Sequence, residues 1–294
     1  MTDPLPSFGI RLKRFFAKPA DKKVEALAFQ LRRLLPARRA FIRLPFGAKW
    51  WVGESALDGQ LPSGEFERAE TRFVGRFLRE GMTVLDVGAH HGLYTLLASV
   101  AVGPSGKVVA FEPSPREQKQ LRDNVRLNRC RNVRIEPVAV GSSRGRANLF
   151  LVQGSEDYCN SLRPPAVKAD TVGVSVAVET LDDFLRENRI PRVDFLKVDV
   201  EGGELEVLRG ASKLLASELR PVIMCETAEI RTAPWGYSAR EIVGALEQLQ
   251  YVWFSIRPDG TLSELMPEED LQDTNLAAVP RERVQETISA LEPG

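Results

Sequence analysis

The sequence predicts an α/β fold: a mostly parallel sheet with helices on both faces. Three observations carry that expectation. Short apolar runs at 84–87, 108–111, 193–198 and 222–225 alternate with segments of helical periodicity, as successive strand–helix–strand units do. A glycine-bearing turn, Asp86-Val87-Gly88-Ala89-His90-His91-Gly92, joins the first of these strands to its helix. Acidic residues close three strands: Glu112 the second, Asp199 the fourth and Glu226 the fifth. Open sheets of this kind bind ligands at the carboxyl ends of their strands, where strand order reverses.

The elements read in order as follows. Residues 1–40 form two basic helical pieces separated by Pro19, with Phe8, Leu12, Phe15 and Phe16 on one face and Val24, Leu27, Leu31 and Leu34 on the other piece. Residues 41–52 are a short hairpin turning at 45–47, and a helix over 65–79 is closed by Gly81. Strand 84–87 is followed by a helix with Leu93, Leu96, Leu97 and Val100 on one face. Strand 108–111 leads to Ser114-Pro115-Arg116-Glu117, a capping box with proline at the first helical position. A third strand spans 133–140. Residues 147–178 break the alternation, and Val174, Val176 and Val178 mark a β insertion. Thr180 caps the next helix, strand 193–198 follows, and Leu205, Leu208, Ala211 and Leu215 line one helix. Strand 222–225, a helix capped by Ser238, and strands 251–256 and 276–279 complete a seven-stranded sheet.

Composition narrows the class. With 43% hydrophobic and 27% charged residues over 294 positions, the chain can bury a core without disulfides or metals. Its three cysteines, Cys130, Cys159 and Cys225, form no CxxC pair, which opposes a zinc knuckle or disulfide framework and fits a cytoplasmic compartment. No apolar run nears the roughly 20 residues that span a bilayer, and the N-terminus lacks a secretory-signal pattern. Net charge is zero, but residues 1–50 hold 12 Lys/Arg against Asp3, Asp21 and Glu25, a local charge of +9. The remainder is therefore mildly acidic, and no nucleic-acid partner is expected. The basic, apolar-faced residues 1–40 suit peripheral contact with an anionic membrane, docking to a protein, or a cap packed on the main domain.

The turn between the first strand and its helix reads as a nucleotide site. Gly88 permits a tight turn, Gly92 permits close approach of backbone and ligand, and the helix N-terminus supplies N–H groups and partial positive charge. Glu112, about 20 residues on, is placed to accept both ribose hydroxyls. The GxGxxG fingerprint of dinucleotide enzymes is absent, which favours S-adenosylmethionine, whose carboxylate faces the helix end. Donor-binding candidates are Asp86, Gly88, Ala89, His90, Gly92, Glu112 and Pro113. On the acceptor side, the run Lys197-Val198-Asp199-Val200-Glu201-Gly202-Gly203-Glu204 and Glu226 bring carboxylates to the same sheet edge. Asp199, then Glu201 and Glu226, are the candidates for removing an acceptor proton or ligating the acceptor. The same three are metal candidates, for Mg²⁺, because hard cations take oxygen ligands. Lys197 shares a strand face with Asp199 and is expected to pair with these carboxylates.

These pieces, with Phe111-Glu112-Pro113, Thr180-Leu181-Asp182-Asp183-Phe184 and Leu208-Arg209-Gly210, resemble the FkbM-type methyltransferases over roughly residues 64–227. The resemblance implies a class I methyltransferase fold, Rossmann-like, and O-methylation of a saccharide, glycolipid or secondary-metabolite hydroxyl. One position departs: the family usually has Asn where this chain has His90. The expected organisation is a basic extension over 1–40, a hairpin lead-in over 41–63 and a methyltransferase domain over 64–294. Two rival functions are N-methylation and a non-catalytic S-adenosylmethionine-binding scaffold recruited through the basic N-terminus. The Asp/Asn-Pro-Pro-aromatic run that marks nucleic-acid N-methyltransferases is missing after the fourth strand.

Overall fold

A computed structural model of the chain describes residues 41–52, 61, 64, 66–154, 159–165, 169–265 and 274–292. The basic extension over 1–40 lies outside the described residues. The chain divides into two compact units, Met1–Phe66 and Glu67–Gly294. In the first, β1 (Phe41–Arg43) and β2 (Lys49–Trp51) form the expected hairpin, pairing Phe41 with Trp51 and Arg43 with Lys49. The Phe41 and Trp51 rings meet edge-on at 6.2 Å.

The second unit is built on an eight-stranded sheet. Helix α1 (Arg68–Phe77) precedes β3 (Thr83–Val87), and α2 (Leu93–Val102) connects β3 to β4 (Lys107–Phe111). Helix α3 (Pro115–Leu127) leads to β5 (Val133–Glu136). The chain then leaves the main sheet. Strands β6 (Ala139–Val140), β7 (Gly145–Val152) and β8 (Thr171–Glu179) form a separate three-stranded sheet, which is the expected insertion. Helix α4 (Leu181–Glu187) returns it to β9 (Phe195–Val198). Two short helices, α5 (Glu204–Arg209) and α6 (Ser212–Leu215), precede β10 (Val222–Thr227). The final elements are α7 (Glu229–Thr232), α8 (Ala239–Glu247), β11 (Tyr251–Ile256), β12 (Leu262–Glu264), β13 (Thr274–Pro280) and α9 (Val284–Leu291).

The main sheet runs β12-β11-β13-β10-β9-β3-β4-β5. Strands β5, β4, β3, β9 and β10 are parallel, and β13 runs antiparallel between β10 and β11. This is the class I methyltransferase topology, with β12 added at the edge. The seven-strand expectation is thus one short: β12 is three residues long, and its single apolar residue, Leu262, makes no strand pattern. The strand expected over 133–140 is two strands in different sheets, parted near Pro137, whose ring offers no N–H to a ladder. The helix expected through Ala211 and Leu215 is broken at Gly210, where α5 ends.

Capping follows the sequence with one exception. Thr180 Oγ1 accepts the Asp183 N–H at 3.2 Å, and the Ser238 N–H donates to Glu241 at 2.8 Å. Ser114, by contrast, makes no side-chain bond to its helix backbone; its hydroxyl donates to the Glu117 carboxylate instead. Leu85, Val87, Leu196, Val198, Ile223 and Cys225 stand in register on one face of the sheet and are buried under α4, α5, α6 and α8. On the opposite face, Phe73 and Phe77 of α1 pack on Phe195 of β9, with ring centroids 6.1 and 5.6 Å apart. Chain order moves outward from β3 to β4 and β5, then crosses to β9 on the other side of β3. The strand-order reversal therefore falls at the carboxyl ends of β3 and β9.

Candidate active site

The glycine-bearing turn sits at that reversal. Gly88 and Ala89 donate to the Phe111 carbonyl at 3.1 and 3.0 Å, folding the turn across the end of β4. Gly88 has φ +80°, and a Cβ there would lie 1.7 Å from the Asp199 carbonyl oxygen. Its glycine is demanded by the β9 loop. A Cβ on Gly92, φ +94°, would lie 2.5 Å from Leu121 of α3. The missing side chain at Gly92 therefore lets α3 pack closely against the turn. Ala89 packs beneath, with Ala110 and Leu121.

His90 explains itself in this geometry. Its φ is +48°, a left-handed conformation rare for side-chain-bearing residues but several-fold enriched in Asn, Asp and His. Asn and His are therefore two solutions to one backbone requirement. The His90 N–H donates to Glu112 Oε2 at 2.7 Å, and the Ser114 N–H to Oε1 at 2.8 Å. Glu112 thus ties the turn to the start of α3. Burial pushes its carboxyl up to about 8, against those two bonds and with help from nearby Glu117. Each oxygen keeps a lone pair for a ribose hydroxyl. The His90 and His91 rings stack at 3.9 Å, and burial holds both neutral near pH 7, His91 at about 4. Pro113, directly after Glu112, is half-buried.

Asp86 and Lys197 are partners in the register of adjacent strands, and Lys197 and Asp199 follow each other on one face of β9. The strand geometry therefore assembles a charged node. The Lys197 ammonium, 5% exposed, lies 3.0 Å from Asp199 Oδ2 and 3.8 Å from Asp86 Oδ1. It also donates to the Gly88 carbonyl at 3.0 Å. Burial opposes its charge, but Asp199, Asp86 and Glu67 outweigh burial and hold it protonated above its ordinary value. Asp86, 1% exposed, accepts the Thr95 hydroxyl at 2.5 Å on Oδ2, while its Oδ1 has no hydrogen-bond partner among the described residues. Three carboxylates face one ammonium here. Such a surplus fits a cationic ligand end, as the sulfonium and ammonium of S-adenosylmethionine provide.

Asp199, Glu201 and Glu226 each place one carboxylate oxygen within 4.8 Å of the others, so the expected acceptor-side trio is assembled. Glu201 sits at φ +57° and faces Arg231, Nε to Oε2 3.2 Å. Glu226 Oε2 is buried without a hydrogen-bond partner among the described residues. Burial, then Asp199, Glu201 and Glu204, pushes its carboxyl well above the ordinary range. Glu204 does not join the trio. Its Oε1 accepts the Val200 and Gly202 N–H groups at 2.9 and 3.1 Å, which braces the loop. Tyr237 braces it from outside, donating to the Gly202 carbonyl, and Ser161 donates to the Glu201 carbonyl at 2.8 Å.

Sequence reasoning missed Glu67, Tyr94, Thr95 and Arg231. The Tyr94 hydroxyl donates to Glu67 Oε2 at 2.6 Å, and the Tyr94 ring lies 5.4 Å from the Lys197 ammonium. None of these residues stands in a short motif. Thr95 alone had a local signal, a polar residue inside an apolar helix.

A doubly covered sheet, a turn at its reversal point and carboxylates at its strand ends define a class I methyltransferase framework. The chain belongs to the FkbM methyltransferase domain family, which matches residues 86–252. It is 33% identical over 145 residues to Methyltransferase 1 of Beauveria bassiana, covering 43% of this chain and 57% of that one. It is 26% identical over 145 residues to the 2-O-methyltransferase NoeI of Sinorhizobium fredii (45% and 58%). It is 31% identical over 134 residues to the hexuronic acid methyltransferase AglP of Haloferax volcanii (45% and 51%). The chain thus spans a little over half the length of these relatives.

Proposed function

We propose that the protein is an S-adenosylmethionine-dependent methyltransferase that methylates a hydroxyl of a saccharide, glycolipid or secondary metabolite. The observation that carries this reading is the Asp199–Glu201–Glu226 trio, coupled to the donor turn through Lys197. S-Adenosylmethionine supplies an activated methyl group on a sulfonium. Asp86, Gly88, Ala89, His90, Gly92, Glu112 and Pro113 frame the donor, with Glu112 on the ribose diol. A hydroxyl acceptor must lose its proton as its oxygen is methylated, and general-base help of this kind contributes roughly 10²–10⁴-fold. Asp199 is the base in this reading. Glu201, held by Arg231, orients the acceptor, and Glu226 hydrogen-bonds it. Two relatives are named for a 2-O-methyltransferase and a hexuronic acid methyltransferase, which supports hydroxylated sugar acceptors.

The buried, unpartnered Glu226 oxygen also favours a second occupant, a divalent cation such as Mg²⁺ held by the same three carboxylates. N-methylation and a non-catalytic scaffold are the rival functions. Transfer of label from methyl-labelled S-adenosylmethionine to host saccharide and small-molecule extracts, with and without chelator, separates all four. Chelator-resistant label in an ether supports the carboxylate base, and chelator-sensitive label supports the cation. Label on nitrogen, or donor binding without any transfer, overturns the reading. Among the described residues no helix is long and apolar enough to cross a membrane. A membrane or protein contact through residues 1–40 is part of the proposal, and liposome sedimentation with and without residues 1–38 tests it.

A further inference from the structure

We propose that Glu67, positioned by Tyr94, binds the α-ammonium group of the methyl donor. The inference rests on the donor reading above and adds a residue from outside the segment 86–252 that matches the family.

Glu67 stands at the N-cap of α1 yet makes no side-chain bond to that helix. Its backbone is left-handed, φ 43° and ψ 47°, an unusual state for a glutamate and one that persists only when its surroundings hold it. The side chain is committed elsewhere. Glu67 Oε2 accepts the Tyr94 hydroxyl at 2.6 Å. Tyr94 belongs to the first turn of α2, directly after the donor turn, and its ring lies against the Lys197 ammonium. The carboxylate is thereby carried to the Lys197–Asp199 node.

The charge balance there is incomplete. The fixed charges acting on Glu67 are Asp199, Lys197 and Glu70, one cation against two further anions. Asp86, 1% exposed beside Lys197, keeps Oδ1 without a hydrogen-bond partner among the described residues. Burial first, then Asp199, pushes the Glu67 carboxyl up to about 7. A cation arriving at this node would relieve both defects. The donor offers a primary ammonium at the end opposite the ribose that Glu112 receives, and a carboxylate is the group that recognises it by charge-assisted hydrogen bonding. A purely structural role, Glu67 and Tyr94 fastening α1 to α2, is the competing account, and two ligands distinguish them. S-Adenosylhomocysteine carries the ammonium. 5′-Deoxy-5′-methylthioadenosine has the same adenosine and thioether but no amino acid.

The test is calorimetric titration of the full chain, wild type and Glu67→Gln, with each ligand at pH 8. Glu67→Gln is expected to weaken S-adenosylhomocysteine on the order of tenfold and to leave methylthioadenosine within about twofold. Equal losses for both ligands, or none for either, overturn the proposal. The wild type provides a second measurement that needs no variant. At pH 6.5, S-adenosylhomocysteine should release more protons than methylthioadenosine, since pairing with the ammonium ionises Glu67. The groups acting on Glu67 are Tyr94 on α2, Lys197 on β9, Asp199 just beyond that strand and Glu70 on α1. Tyr94→Phe, which removes only the hydroxyl that aims the carboxylate, should reduce the difference in proton release between the ligands. Identical proton release by the two ligands in the wild type contradicts the assignment. Failure of the wild type to bind either ligand would instead sink the donor reading itself.

Discussion

Lys197 and Asp86 meet across two adjacent parallel strands, ammonium to carboxylate 3.8 Å, and Lys197 links the strand that enters the glycine-bearing turn to Asp199. The same ammonium holds Asp199 and the Gly88 carbonyl. One buried cation therefore organises both halves of the site.

Removing that cation leaves Asp86 and Asp199 facing each other in the interior. Lys197→Met should destabilise the fold by about 3–5 kcal/mol, the range for breaking a buried ion pair on one side. Urea denaturation measures it. A loss below about 1 kcal/mol would show that water reaches the Lys197 node.

Gly88 touches the Asp199 carbonyl so closely that any side chain must displace the β9 loop. Gly88→Ala adds left-handed strain to that collision and should cost on the order of 3 kcal/mol or more. Gly92→Ala meets only the tip of Leu121. Leu121→Ala is costly by itself because Leu121 is fully buried, but in that background Gly92→Ala should cost less than in the wild type, leaving the backbone strain. Thermal denaturation of the five proteins, Leu121→Ala included, distinguishes the two glycines.

Much of this site was legible in the sequence, for a physical reason. Strands β3, β4, β9 and β10 are covered on both faces, so they read as unbroken apolar runs, and the residue closing each run stands at the ligand-binding edge. Glu112, Asp199 and Glu226 are legible that way, and Asp86 through the glycine-bearing turn that follows it. Strand β12 is not legible because it is a three-residue edge strand with a single apolar residue, Leu262, too short to show alternation. The split of residues 133–140 between two sheets has only Pro137 as a local sign. Glu67 and Tyr94 are 27 positions apart and meet through a left-handed residue, which no spacing rule anticipates. His90 departs from the family's usual Asn, and its left-handed backbone, φ +48°, accounts for the exchange.

His91 makes stability pH-dependent with a definite sign. Its folded value of about 4 lies below the ordinary 6.5, because burial, then Arg116, disfavours its charged form. Above pH 6.5 both folded and unfolded chains hold it neutral, and the contribution is complete. As pH falls from 6.5 toward 4 the unfolded chain takes up a proton that the folded chain refuses, and stability drops. Between pH 7 and 4.5 the wild type should lose about 2 kcal/mol more than His91→Gln, by urea denaturation at each pH. Parallel losses would place His91 in water.

In the proposed reading Glu226 lies on the acceptor side, and its Oε2 has no hydrogen-bond partner among the described residues. Glu226→Gln should lower methyl transfer on the order of 10²-fold while leaving S-adenosylhomocysteine affinity within about threefold, because Glu226 lies on the acceptor side of Lys197. Calorimetry beside a labelled-transfer assay reads both quantities. Weakened donor binding with unchanged turnover would move Glu226 into the donor pocket.

The most direct test of the site as a whole compares wild type and Asp199→Asn for labelled methyl transfer, with product linkage identified and donor affinity measured in parallel. A methyl ether made by the wild type, at least about hundredfold less of it from Asp199→Asn, and donor affinities within about threefold are the predicted result. Wild-type rates from Asp199→Asn, or label recovered on nitrogen, would contradict it.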